Sequence, residues 1–266
     1  LVGSEMCIRD RGTPVSLDKL EDALKSNPDT EVVAFVHAET STGVRSDAKE
    51  IAEIAKKYGC LVIADTVTSL VGIPVLTDEW GLDAVYSGSQ KCLSSVAGLS
   101  PLTFSDKAIK KIQSRDTRIQ SWFLDQTLVL DYWSGSGKRS YHHTAPINSI
   151  FALHESLRLA CDETLENLWK RHLEAHSRLK KGLNKLSFDF VVEKEYRLPQ
   201  MNSIHIPSGY DDIEVRTKLL NDFNLEIGAG LGKFAGKIWR IGLMGYNARN
   251  ESVDYCLESL KSVLNK

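Results

Sequence analysis

No stretch of this 266-residue chain approaches the roughly 20 consecutive apolar residues of a membrane-spanning helix, so a helical span is excluded. Charge of one sign is equally scarce. The chain has 33 basic and 35 acidic side chains, a formal net charge of -2, and so no electrostatic reason to expect nucleic acid or an anionic membrane as partner. The five cysteines (Cys7, Cys60, Cys92, Cys161, Cys256) form no CxxC or other metal-ligand spacing and are odd in number. Such usage suits free thiols in a reducing compartment, and no metal is expected. Internal repeats, low-complexity tracts, a flexible linker and a signal-peptide layout are all missing. What is present is ample apolar content, 42% of residues, for the core of one large domain or one and a half typical ones.

Residues 1–12 follow no helical or strand period and are expected to be a non-native leader, translated adapter sequence, with a genuine frayed terminus as the alternative. From Thr13 the pattern is regular. Ser16 can cap a helix carrying Leu17, Leu20 and Leu24 on one face. The apolar run 32–36 predicts a strand covered on both faces, 47–58 a helix ending at Gly59, and 61–64 a second strand. Strand, helix, strand in this spacing is a βαβ unit, which predicts an α/β fold with a mostly parallel sheet.

Ligand sites of parallel sheets lie at the carboxyl ends of the strands. Thr40, Asp65 and Lys91 all fall just beyond such ends. Lys91 follows the short buried strand 84–87 and the break Gly88-Ser89. A lysine so placed is most simply a solvated loop charge. A second apolar strand that ends on Asp65 changes the reading. An amine able to form a Schiff base and a carboxylate able to pair with a protonated pyridine nitrogen are what pyridoxal 5'-phosphate needs.

Further along, 101–104 predicts another strand and Ser105-Asp106 opens a short basic helix. Residues 115–139 read as irregular and aromatic-rich, with Trp122, Phe123, Tyr132, Trp133, Gly135 and Gly137, which marks a functional loop or an interface. Pro146 suits the first turn of a helix to about Cys161, and a long amphipathic helix follows. The remainder predicts a smaller α+β unit: strands 188–192, 203–206, 225–227 and 237–241, with helices 212–223 and 251–264.

His37-Ala38-Glu39-Thr40-Ser41-Thr42-Gly43-Val44, Ala64-Asp65-Thr66-Val67, Tyr86-Ser87-Gly88-Ser89-Gln90-Lys91, Tyr141-His142-His143-Thr144 and Trp239-Arg240-Ile241-Gly242 occur in this order. Together they resemble the alanine–glyoxylate (serine–pyruvate) aminotransferases, in the class V group of fold-type I pyridoxal-phosphate enzymes. The resemblance implies transamination from alanine or serine to glyoxylate or pyruvate, small amino-acid and 2-oxo-acid substrates, and a homodimer. Lys91 resembles the Schiff-base lysine and general base, and Asp65 the partner of the pyridine nitrogen. Val67 resembles the residue packed on the ring, Thr40 the one reaching the phenolic oxygen, and Gln90 the neighbour of the phosphate. Arg240 resembles the binder of the substrate carboxylate, and Tyr141 and Thr144 the residues serving the cofactor phosphate of the other subunit. By pattern alone Asp65 also reads as a helix cap, Arg240 as half of a surface ion pair, and Thr40, Val67 and Gln90 as ordinary loop or core residues. His142-His143 lacks the i, i+4 spacing of a metal pair.

Enzymes of this group also carry, before the lysine, a Gly/Ser-rich turn for the phosphate and an aromatic residue stacked on the ring. No such segment stands between Thr13 and Val32. The resemblance thus implies an N-terminally truncated chain: an incomplete cofactor-binding large domain over 13–161 and a small C-terminal domain over 162–266. Another class V enzyme of cysteine-desulfurase type, needing a cysteine on a mobile loop in the last third, and a non-catalytic α/β ligand-binding fragment are the competing readings. A cytoplasmic location is expected, with peroxisome or mitochondrion as alternatives, although Leu264-Asn265-Lys266 is no close match to a peroxisomal tripeptide.

Overall fold

The computed structural model describes residues 11–133 and 140–265, so residues 1–10 of the expected leader, and Gly135 and Gly137, lie outside the described residues. Ser16 opens α1 (Leu17–Ser26), its side chain accepting the Lys19 N–H. Strand β1 (Val32–Val36) runs into a hairpin of β2 (Ala38–Glu39) and β3 (Val44–Arg45). Asp47 caps α2 (Ala48–Lys57) through the Glu50 N–H, and Gly59 ends it at φ +77°. Then come β4 (Leu61–Asp65), α3 (Thr77–Trp80), β5 (Ala84–Tyr86) and β6 (Leu102–Phe104).

These strands form one sheet in the order β1-β4-β5-β6, with β1, β4 and β5 parallel and β6 antiparallel at the edge. The architecture is α/β with a mostly parallel sheet. Val33, Val62, Ala64 and Val85 are buried with Ile51, Ala52 and Ala55 of α2. The expectation of strands covered on both faces is corrected here. Side chains alternate along a strand, and on the opposite face Val32, Tyr86 and Leu102 are 42%, 39% and 45% exposed.

Ser105 caps α4 (Asp106–Gln113). The segment expected to be irregular contains α5 (Gln126–Trp133), which buries no residue and leaves Trp133 67% exposed. Helix α6 (Ile147–Glu163) stops at Thr164, whose φ of 73° no helix accommodates, and the Thr164 side chain caps α7 (Leu165–Lys185). The chain closes with β7 (Met201–His205), α8 (Asp212–Phe223), β8 (Gly228–Ala229), β9 (Ile238–Gly242) and α9 (Asn250–Val263).

An antiparallel sheet β7-β9-β8 packs with α7, α8 and α9 around Leu179, Leu183, Leu219, Trp239, Val253 and Leu260. Two strand expectations shift. Of 188–192 only Phe190 forms a bridge, to Ile204 on the edge of β7 away from β9, flanked by the bonds Val191 N–H to Ser203 and His205 N–H to Asp189. Pairing expected at 225–227 falls on Gly228 and Ala229, opposite Arg240 and Trp239.

Candidate active site

Register sets the carboxyl edge of the main sheet. Val36 pairs with Asp65 and Asp65 pairs with Tyr86, so β1, β4 and β5 end side by side. Adjacent parallel strands in register put Asp65 and Tyr86 on the same face, the open one. Asp65 Oδ1 accepts the Val67 N–H at 2.8 Å and Oδ2 accepts the Tyr86 hydroxyl at 2.8 Å. Each carboxylate oxygen retains one lone pair. Burial first, then the bond to Asp65, pushes the Tyr86 phenol up to about 12. It stays a proton donor to the carboxylate across any ordinary pH.

The turn after β5 is fixed by its backbone and small side chains. Ser87 N–H donates to Pro101, Ser89 N–H to Leu99, and Ser89 Oγ to the Val96 carbonyl at 2.6 Å. Gly88 lies between two of the candidate residues. A Cβ there would stand 2.8 Å from Gln90 Oε1 and 3.3 Å from Val67 Cγ1. The structure thus brings Val67 and Gln90 together around a bare stretch of backbone. Lys91 is half-buried, and its ammonium has no hydrogen bond or ion pair among the described residues.

Turn residues 65–69 tie the loops together. The Thr68 hydroxyl meets that of Thr40 at 3.2 Å, and the Thr68 carbonyl accepts both Cys92 Sγ at 3.6 Å and Gln200 Nε2 at 2.9 Å. Thr40 opens the turn between β2 and β3 rather than following β1 directly. Arg240, at the centre of β9, crosses to it. Nε donates to the Ala229 carbonyl at 2.7 Å and Nη1 to the Thr40 carbonyl at 3.1 Å. Burial lowers the Arg240 pKa, opposed by the nearby charge of Glu39. Both of its acceptors are neutral carbonyls, and no carboxylate pairs with it among the described residues, which leaves the Nη2 edge for an anion.

Tyr141 and Thr144 bond to none of these groups among the described residues. Their hydroxyls bond to each other, and the Tyr141 ring meets Tyr132 at 6.2 Å. His142 stacks on Trp122 at 4.0 Å and shares a 2.9 Å contact between Nδ1 atoms with His143.

Residue-by-residue reading missed Tyr86, Thr68 and Glu39. Tyr86 stood inside a quoted motif, yet its bond to Asp65 follows from the β4–β5 register, which no single stretch of sequence carries. Glu39 Oε1 accepts the Ser41 N–H at 2.7 Å and shapes the Thr40 loop.

A mostly parallel sheet with a half-buried lysine, an aspartate and a carbonyl-held arginine around its carboxyl edge has the architecture of the fold-type I pyridoxal-phosphate-dependent enzymes. The profile described as "Aminotransferase class-V" matches residues 5–254, and the chain belongs to that family. It is 39% identical over 259 residues to an alanine–glyoxylate aminotransferase of Rattus norvegicus, covering 97% of this chain and 62% of that protein. A (S)-ureidoglycine–glyoxylate transaminase of Bacillus subtilis is 35% identical, over 93% of this chain and 63% of its own length. The crystal structure of an alanine–glyoxylate aminotransferase from Nostoc sp. superposes with a TM-score of 0.91 at 46% identity, over 95% of this chain and 66% of that one. The chain therefore spans a little over three-fifths of the length of these curated relatives.

Proposed function

We propose that the whole protein is a pyridoxal-phosphate-dependent aminotransferase that moves the amino group of alanine or serine to glyoxylate or pyruvate. One observation carries the reading: turn residues 65–69 touch the Thr40–Arg240 pair through Thr68, the Gly88–Gln90 turn through Val67, and Cys92, next to Lys91, through the Thr68 carbonyl. All three comparison enzymes quoted above carry glyoxylate in their names, which supports that acceptor.

The residues fit the cofactor. Gly88 leaves backbone bare between Val67 and Gln90, and Asp65 offers unused lone pairs on the open face. When bound, pyridoxal phosphate supplies an electron sink for the substrate carbon that loses its proton. Asp65 would hold the proton on the ring nitrogen, and Val67 would pack against the ring. Thr40 would reach the phenolic oxygen and Gln90 would neighbour the phosphate. The Lys91 amine would anchor the aldehyde carbon and, once released, remove the proton from the substrate α-carbon. Arg240 would hold the α-carboxylate with the edge its carbonyl contacts leave free.

Exposed Trp122, Phe123, Trp133, Tyr141 and Phe151 support a homodimer, in which Tyr141 and Thr144 would serve the partner subunit's phosphate. We divide the chain into a cofactor domain over 13–161 and a small domain over 162–266, a division supported by the helix break at Thr164 and the separate C-terminal core. No described helix is long and apolar enough to cross a membrane. Free Cys60, Cys92, Cys161 and Cys256 support a reducing, cytoplasmic setting. The desulfurase reading is disfavoured by Cys256, which is 4% exposed in the core with its thiol pushed up to about 12 by burial.

The test is titration with pyridoxal phosphate, borohydride reduction and peptide mass mapping. Label on Lys91, lost in K91A, is expected. Label elsewhere overturns the aminotransferase reading in favour of a non-catalytic ligand-binding fragment.

A further inference from the structure

We propose that Tyr86 is a positioning residue for Asp65, a strut that holds the carboxylate where a protonated ring nitrogen is to meet it. The inference rests on the functional reading above and adds to it a residue that the reading leaves without a task.

The geometry is a reciprocal strap across two neighbouring strand ends. Asp65 and Tyr86 are register partners and each is the last residue of its strand. The Tyr86 hydroxyl donates to Asp65 Oδ2 at 2.8 Å. The next residue, Thr66, returns the tie. Its N–H and its hydroxyl both donate to the Tyr86 carbonyl, each at 2.9 Å. Ser87 then donates its hydroxyl to the Thr66 carbonyl at 3.1 Å. Thr66 and Ser87 are buried, at 0% and 2% exposure, so the backbone beneath the pair is locked.

A carboxylate on a strand end turns about two side-chain torsions, and one hydrogen bond leaves the plane free to swing about it. Asp65 has two, from opposite sides. The Val67 N–H fixes Oδ1, and the Tyr86 hydroxyl fixes Oδ2. Both donors are neutral. The carboxylate therefore keeps its full charge for an incoming cation, which an arginine or lysine in the place of Tyr86 would neutralise. A phenol lifted to about 12 gives up no proton to the site, so it orients the carboxylate without entering proton transfer. Because the Tyr86 ring lies on the open face at 39% exposure, removing the hydroxyl alone leaves the packing in place.

The experiment uses Y86F, D65N and the double variant in the full chain, with two readouts. The first needs no cofactor. Carbon-13 NMR of the tyrosine ring carbon bearing the hydroxyl, assigned to Tyr86 by its loss in Y86F, should stay unshifted up to about pH 11, above the ordinary phenol pKa of about 10. In D65N its titration midpoint should move down. A Tyr86 signal that titrates at an ordinary value and is indifferent to D65N overturns the strut. The second is the pyridoxal phosphate concentration that half-saturates borohydride labelling of Lys91. Loss of one hydrogen bond to a charged group should raise it about threefold to tenfold in Y86F. No further rise should occur when Y86F is added to D65N, because the strut acts only through that carboxylate. Equal, additive losses in both backgrounds overturn the positioning role alone. No label on Lys91 in the unaltered protein overturns the functional reading, and this inference with it.

Discussion

Gly245 has no room for a side chain beside Ser94: a Cβ built on it would stand 1.8 Å from the Ser94 hydroxyl and 2.8 Å from the Cys92 carbonyl. The next N–H, of Tyr246, donates to Ser94 Oγ at 2.9 Å, and the Gly245 N–H donates to Nε2 of the buried His172 at 3.0 Å. Thus the turn just after the Arg240 strand is bolted to the loop just after Lys91.

That contact yields the first expectation. Gly245 also has φ +53°, so G245A adds left-handed strain to the clash and should destabilise the protein by about 2–4 kcal/mol. Urea unfolding measures the loss. Lys91 labelling should fall with it, since Ser94 N–H is bonded to the Lys91 carbonyl and moves with the loop. A variant of unchanged midpoint would show that the two loops yield freely.

Arg240 supports the second. R240K keeps the charge and gives up the planar fork. Its single ammonium cannot hold both the Ala229 and Thr40 carbonyls and a carboxylate in one plane. Calorimetric titration of cofactor-loaded protein with pyruvate should show affinity lowered about tenfold, and R240Q lower still. Undiminished affinity in R240K would place the substrate carboxylate elsewhere.

A third concerns acid. His37 is 3% exposed, its Nδ1 has no hydrogen-bond partner among the described residues and its ring meets Trp80 edge-on at 5.4 Å. Burial, with help from Arg45 and against Asp47, lowers its pKa from 6.5 to about 4. The unfolded chain therefore takes up a proton at a pH where the folded chain refuses it. Stability is fully present above about pH 6.5 and is lost as pH falls toward 4, by at most about 3 kcal/mol. Buried His172 and His176, also lowered by burial, act in the same direction. Urea midpoints over this range should flatten in H37L relative to the unaltered protein. Equal slopes would show that His37 titrates normally.

Much of this molecule was legible because several signals agreed at one place. Ser16 caps as its spacing predicts, and helix 212–223 stands at its expected bounds. Helix α5 escaped because its Trp, Tyr and Leu residues lie on no single face, so no period marks it. Pairing at Gly228–Ala229 escaped because two small residues carry no strand signal, whereas the neighbouring Leu225 and Ile227 do. In the site, the residue types at positions 40, 65, 91 and 240 were readable from chemistry and family likeness. Which of them touch was not. Arg240 reaching the Thr40 carbonyl, and Tyr86 holding Asp65, depend on how separate strands are set beside one another.

The Arg240–Thr40 bond joins residues 200 positions apart, and so it belongs to the slowest class of contact for a chain to make. During synthesis, Thr40, Asp65 and Lys91 leave the ribosome long before Arg240 has been translated. The nascent βαβ unit passes that interval with the Thr40 carbonyl still unclaimed by Arg240, and only the arrival of β9 makes the bond.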